Sequence, residues 1–293
     1  MLDCTFCHIP GVTPQTEEWL WSQGIHTWDD FLAAGDIQLP HINTQHIRRY
    51  LWESKEHLAA DQPGYFSRKL PANQHWRLFP EFRYSAAYLD IETSPSPYRQ
   101  GHYITTIALY NGSSTFCYVK GENLREFKED IQQYKVIVSY NGKTFDVPII
   151  ERYLKIKLNH LTHIDLRYVL ASLGYTGGLK QCEKRLGIHR QELDGINGRF
   201  AIHLWNDYQR HGIPQSLETL LAYNIADVVN LEKLMVIAYN KKLYHTTPFY
   251  DELRLDLPTE PEISIKPDPF TIDRIMREHG LYEANPYLYN TNR

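Results

Sequence analysis

The chain has 293 residues, an ordinary soluble composition rich in tyrosine and a net charge of −4, so it can bury a sizeable core as one large domain or two smaller ones. It has no run of about 18 apolar residues, which excludes a membrane-spanning helix, and its acidic balance argues against indiscriminate nucleic-acid binding. The opening "MLDCTFCHIP" lacks the basic region and apolar core of a secretory signal, and the protein reads as cytoplasmic. Residues 1–75 read as a small helical module: Thr13-Pro14 opens a helix, Gly24 stops it, Thr27 caps a second, and a third covers 43–60. "DQPGYFSRKLPANQ" then reads as a linker, with prolines and no periodicity. From 82 onward the chain is β-rich, with strands predicted over 84–91, 102–110 and 114–120 and "YNGSS" as the hairpin turn between the last two. A helix over 122–134, a buried strand over 135–140, a helix over 145–157, a short strand near 161–165 and further helices follow. A three-strand meander followed by alternating helix and strand predicts a mixed-sheet α/β domain over 82–242. Residues 243–293 are Pro-rich and read as a largely irregular extension wrapping that domain.

The four cysteines are Cys4, Cys7, Cys117 and Cys182. "CTFCH" matches a c-type haem attachment pattern, and its CxxC is also half of a zinc site. Haem attachment needs export, and no second ligand pair for zinc lies nearby. The reading favoured is two small hydrophobes packed under a helix, with an iron–sulfur cluster from all four cysteines as a weaker alternative.

Acidic residues carry the chemistry. In "AAYLDIETSPSP" (86–97), Asp90 and Glu92 lie two apart on a strand, so both carboxylates share one face while Leu89 and Ile91 take the other. Two like charges held that close destabilise the strand unless something neutralises them. In "SYNGKTFDVPII" (139–150) a strand ends, Asn141-Gly142 turns the chain, and Asp146 enters the first turn of a helix, where a cap is the plainest role. In the helical stretch 217–239, Tyr223 and Asp227 are four apart and share a face close to Leu220 and Leu231. Burying an Asp there costs several kcal/mol without a partner. Each acid has a separate innocent explanation, a cap or a salt bridge. Together, clustered carboxylates with oxygen-only ligation suit Mg²⁺ or Mn²⁺, and a pair of such ions suits phosphoryl chemistry. Residues 81–242 carry 20 Lys/Arg against 17 Asp/Glu, compatible with a phosphate-bearing ligand.

"LDIET", "YNGKTFDVPII" and "YNIADVVNL" resemble, in order and spacing, the three motifs of the DEDDy 3′→5′ exonucleases, which have a ribonuclease-H-like fold. "NGKTFD" with a proline after it, and Tyr-x3-Asp in the third motif, look most like the branch containing family-B DNA polymerase proofreading domains. Within that branch the chain is similar to the stand-alone YprB-like proteins, which "GGLKQCEKRLGI" and "LLAYNIADVVNLEKL" also resemble. The resemblance covers roughly 82–242. It implies that Asp90 bridges two divalent cations, that Glu92 and Asp227 complete the water-activating site, and that Asp146 holds the second ion, partly through water. It further implies that Tyr223 orients the attacking water and that Asn141, Thr93 and Lys180 contact substrate, Lys180 also reading as an ordinary surface lysine. "IPGVTPQTEEWL" resembles a helix–hairpin–helix, whose turn offers backbone N–H groups to a DNA phosphate, except that Thr13 replaces its second glycine. A purely structural helical cap is the rival reading of that module.

The sequence thus predicts an α/β, ribonuclease-H-like mixed sheet flanked by helices, with a small N-terminal helical module. The expected activity is that of a Mg²⁺- or Mn²⁺-dependent 3′→5′ exonuclease acting on single-stranded DNA or RNA ends. The rivals are a catalytically weak or inactive nucleic-acid-binding module on the same fold, and an adaptor whose acids merely pair with basic residues.

Overall fold

The computed structural model describes residues 1–35, 37–39, 42–95, 101–190, 193 and 196–281. Its N-terminal helices are α1 (Pro14–Ser22), α2 (Trp28–Ala33), α3 (Thr44–Ala59), α4 (Pro63–Lys69) and α5 (Phe79–Phe82). Strands β1 (Ala86–Pro95), β2 (His102–Tyr110) and β3 (Thr115–Val119) follow, then α6 (Phe127–Asp130), β4 (Val136–Ser139), α7 (Asp146–Leu154) and β5 (Thr162–Asp165). The remaining helices are α8 (Leu166–Ala171), α9 (Leu179–Arg185), α10 (Gly198–His211), α11 (Pro214–Thr246), α12 (Tyr250–Leu253) and α13 (Pro269–Glu278). Among the described residues, no helix is long and apolar enough to cross a membrane.

Local chemistry sets the first boundaries. Thr13 caps α1 by accepting from the Thr16 N–H at 3.2 Å, and Thr27 forms a reciprocal capping box with Asp30 at the start of α2. The helix–hairpin–helix comparison meets a difference here: what precedes the turn is a single 3-10 turn, Leu2–Cys4, where a first helix would stand. That segment is held as a buried loop by side chains. Glu17 accepts from the N–H groups of Phe6 (2.6 Å) and Cys7 (3.1 Å), and Trp21 and Trp28 donate to the carbonyls of Cys4 and Thr5. Cys4 and Cys7 are buried within it, and burial pushes both thiols up to about 12, as expected of inert packing residues.

The stretch read as a linker is ordered structure. Pro63 opens α4 from its first position, and Tyr65, Phe66, Leu70 and Trp76 are buried. The prolines that signalled a break punctuate short helical turns instead. These side chains join an apolar cluster that runs without interruption from Leu2 through α1–α5 to the sheet residues Ala86, Tyr88, Tyr110 and Val138.

The sheet order is β3-β2-β1-β4-β5, with β1, β2 and β3 antiparallel and β1, β4 and β5 parallel. One face of β1, formed by Ala87, Leu89 and Ile91, packs with Phe127, Ile131 and the α7 residues Ile149, Ile150 and Leu154. The other, starting with Ala86 and Tyr88, lies under α11 and the N-terminal helices. Asp90 and Glu92 continue this second face, so the long helix that covers the core also covers the acids. Residues 122–134 form less helix than expected: Asn123 ties its side chain to the backbone of Val119 and Cys117, leaving only α6 and the 3-10 turn Ile131–Gln133.

The C-terminal extension has no regular structure over residues 254–268 but departs from an irregular strap at α13. Asp268 caps α13 by accepting from the Thr271 N–H, and Ile272, Ile275 and Met276 pack against α10 and α11. Arg274 pairs with Asp207 at 2.6 Å. Residues 282–293 of the extension, like Ser96 and Pro97 of the first acidic stretch, lie outside the described residues.

The turn after β4 is tight because Gly142 has no side chain. A Cβ there would lie 2.2 Å from Ser139 Oγ and 2.7 Å from its Cβ, and that hydroxyl already pairs with His163 Nε2 at 2.7 Å. Gly142→Ala is therefore expected to destabilise the protein by about 1–3 kcal/mol, read as a lowered urea midpoint at unchanged slope.

Candidate metal centre

The site begins where β1 outruns β4. Pairing with β4 stops at Tyr88, opposite Val138, whereas pairing with β2 continues to Pro95, opposite His102. Among the described residues no strand pairs with β1 on its β4 side beyond Leu89, and the Ile91 N–H donates to Asp146 Oδ1 at 3.1 Å. The Asp at the start of α7 thus reaches across to the central strand. From above, α11 contributes Asn224, whose Nδ2 donates to Asp90 Oδ2 at 2.7 Å while Thr106 Oγ1 donates to its own Oδ1 at 2.9 Å. One turn separates Asn224 from Asp227. Ligand atoms of Asp90, Glu92 and Asp227 all lie within 4.8 Å of one another. Asp146 stands outside this group, beside it. The β1–β2 register slips between Glu92 and Thr93, and Thr93 Oγ1 lies 3.3 Å from His102 Nδ1.

Glu92 and Asp227 are buried, at 8% and 4% exposure, while Asp90 keeps a partial opening to solvent. Burial, then the neighbouring Asp227, Asp146 and Glu92 charges, hold the Asp90 carboxyl well above the usual range. Glu92 is raised too, by burial and then Asp227, against an opposing pull from Lys180. Burial pushes Asp146 up to about 7, against the hydrogen bond from Ile91. Like charges at this spacing favour either protons or a cation.

The second motif is braced from β5. Asp165 accepts from the N–H groups of Asn141 (2.7 Å), Lys143 (3.1 Å) and Arg167 (3.1 Å), holding Asn141 at φ +66°. The Asn141 side chain accepts from Thr144 and Arg167, so it serves this turn. Lys180 is no surface lysine. Its Nζ donates to the Tyr223 hydroxyl and to the Ile196 carbonyl and sits 3.8 Å from the Tyr223 ring centroid; burial brings its pKa down to about 8. Tyr223 is buried, and burial followed by the Asp227 and Glu92 charges holds its hydroxyl protonated.

Three residues of the site escape the motif reading: Asn224, Asp165 and Arg190. Arg190 follows α9, past whose cap Leu186 the chain turns at Gly187 (φ +75°), with the Ile188 N–H donating back to the Glu183 carbonyl. The turn sends Arg190 back onto Glu183 through two hydrogen bonds of 2.7 and 2.6 Å, and its remaining nitrogen meets Asp227 Oδ1 at 2.5 Å.

Three carboxylates offering oxygen alone, two of them pushed up by burial and then by neighbouring acids, fit a hard divalent cation. A five-stranded mixed sheet with an acid cluster at the end of its central strand, closed by a long helix, defines a ribonuclease-H-like α/β protein. The sequence profile of the RNase_H superfamily matches residues 87–239, more than half of the chain, and the chain belongs to that superfamily. It is similar to the solved family B DNA polymerase from the hyperthermophilic archaeon Pyrobaculum calidifontis at 18% identity and a TM-score of 0.39, over 54% of this chain and 24% of that one. The chain thus spans about a quarter of that polymerase. Among curated proteins none matches significantly.

Proposed function

We propose that the protein is a divalent-metal-dependent 3′→5′ exonuclease of the DEDDy type, hydrolysing single-stranded DNA or RNA ends to nucleoside 5′-monophosphates. The observation that carries this reading is the meeting of Asp90, Glu92 and Asp227 within 4.8 Å on superfamily-defining elements, with Tyr223 one helical turn before Asp227. Asp90, Glu92 and Asp227, with Asp146 beside them, would hold two Mg²⁺ or Mn²⁺ ions, which supply an acidified water and neutralise charge developing on the phosphate. The chain's own groups do the rest. Asn224 fixes the Asp90 carboxylate, and Lys180 donates to the Tyr223 oxygen, so the phenol keeps its own proton to donate. Tyr223 therefore acts as a hydrogen-bond donor that orients the attacking water, and not as a base. Thr93, Asn141 and Lys180 would contact the terminal nucleotides in this reading, and base stacking on exposed aromatics such as Phe145 would suit a splayed single strand.

The test is incubation of end-labelled single- and double-stranded DNA and RNA with Mn²⁺, Mg²⁺ or EDTA. Stepwise shortening from the 3′ end that EDTA stops is expected; cleavage of a circular single strand would refute the exonuclease assignment. Tyr223→Phe is expected to lower the single-turnover rate by about 10- to 100-fold, because one oriented hydrogen bond is lost while every carboxylate stays. A loss as large as that of Asp227→Ala would contradict the orienting role.

A further inference from the structure

Arg190 is a second kind of answer to the acid cluster, one that this chain carries itself. Its guanidinium is almost wholly buried and divided between two acids: one edge grips Glu183, which Asn230 also contacts at 2.9 Å, and the remaining nitrogen meets Asp227. Asp227 belongs to the carboxylate group, and Glu183 does not. A guanidinium and a divalent cation competing for the same carboxylate repel each other strongly at this range. Room for the guanidinium to yield exists. A cavity of about 350 Å³ lies between α11 and the segment 258–267, walled by Arg190, His189, Ala226, Asn230 and Lys233.

We propose that Arg190 is the resident counter-cation of Asp227. A divalent cation takes the site by displacing the guanidinium from Asp227 toward the cavity, while Glu183 keeps hold of its other edge. The inference rests on the metal-site reading above. It makes Arg190 a positioning residue that sets metal affinity: without metal it holds Asp227 in place, and with metal it withdraws. Mn²⁺ occupancy is then a competition within the chain.

The test is calorimetric titration of the full chain with Mn²⁺ alone. Arg190→Gln is expected to bind Mn²⁺ at least about tenfold more tightly, since no guanidinium competes. Arg190→Lys is expected to bind about threefold more tightly, because one ammonium lacks the fork that bridges two acids. Glu183→Gln frees the guanidinium to settle on Asp227 and is expected to weaken binding by about threefold. Wild-type affinity in Arg190→Lys would mean that only net charge matters and would overturn the proposal, as would weaker binding by Arg190→Gln. If Arg190→Gln does not fold, the opposite signs of Arg190→Lys and Glu183→Gln decide. Absence of Mn²⁺ binding by the wild-type chain is a separate result: it removes the metal-site reading itself and favours the binding-module alternative.

Discussion

Asp90→Ala should abolish end degradation while leaving the metal-free protein at least as stable as the wild type. Asp90 shares the group with Glu92 on its own strand and Asp227 on α11, and removing it takes an oxygen ligand from the group. Metal-borne charge stabilisation is worth several kcal/mol, so the loss of rate should reach about a thousandfold. The stability result has the opposite sign because burial, and after it the charges of the other acids, raises the Asp90 carboxyl. Its removal relieves that repulsion, against which stands one hydrogen bond from Asn224. Activity lost while stability holds is the mark of a site kept for function at the expense of the fold. Mn²⁺-dependent rates on end-labelled DNA and RNA, with EDTA melting curves on the same preparations, measure both. Undiminished degradation sinks the mechanism; a mutant that fails only by unfolding makes Asp90 structural.

The parts of this arrangement that sequence reveals are those whose signals are local. β1–β5 follow from runs of β-branched and aromatic residues bounded by turn residues; the ends of β2–β5 lie within a residue of those predicted, whereas β1 runs four residues past its expected end at 91. Asp90, Glu92 and Asp227 were legible because strand and helix periodicity put each on a buried face, and the three motifs linked them. What periodicity cannot supply is the partner across space. Arg190 stands 37 positions before Asp227 in an irregular segment, and only the Gly187 turn brings its guanidinium back. Asp165 looks like an ordinary cap of α8, and it is one, accepting from the Arg167 N–H; its second duty to Asn141 and Lys143 is tertiary. Asn224 lies inside "YNIADVVNL", but a helical amide beside Tyr223 and Asp227 carries no local signal of its hydrogen bond to Asp90. The misread linker has the same origin. Tyr65, Phe66 and Leu70 have no periodic pattern long enough to register, yet each finds a pocket in the shared core.

Manganese should stabilise the protein, and more so as pH rises. Asp146, raised to about 7, and Asp90 and Glu92, raised well above the carboxylate range, keep protons in the fold that the unfolded chain has released by about pH 5. Stability from groups raised in this way is fully present below their unfolded values and is lost as pH climbs through the folded ones. Buried His8 and His163, both held down to about 3 by desolvation, work the other way, destabilising the fold only as pH falls below their ordinary range. Above about pH 7.5 these histidines are neutral in both states and the acids dominate, so the melting temperature in EDTA should fall from there toward pH 8. Asp146→Asn, which keeps an acceptor for the Ile91 N–H, should flatten that fall. Metal binding needs deprotonated carboxylates, so the same rise in pH removes the protons that compete with Mn²⁺. At a hundredfold excess over its dissociation constant, Mn²⁺ contributes about 2.7 kcal/mol, a rise of roughly 5 °C for a chain of this size. The two curves should therefore diverge, with the gap largest near pH 8 and nearly closed near pH 5. An adaptor whose acids pair only with basic side chains predicts superimposed curves at every pH, and that result would remove the metal centre.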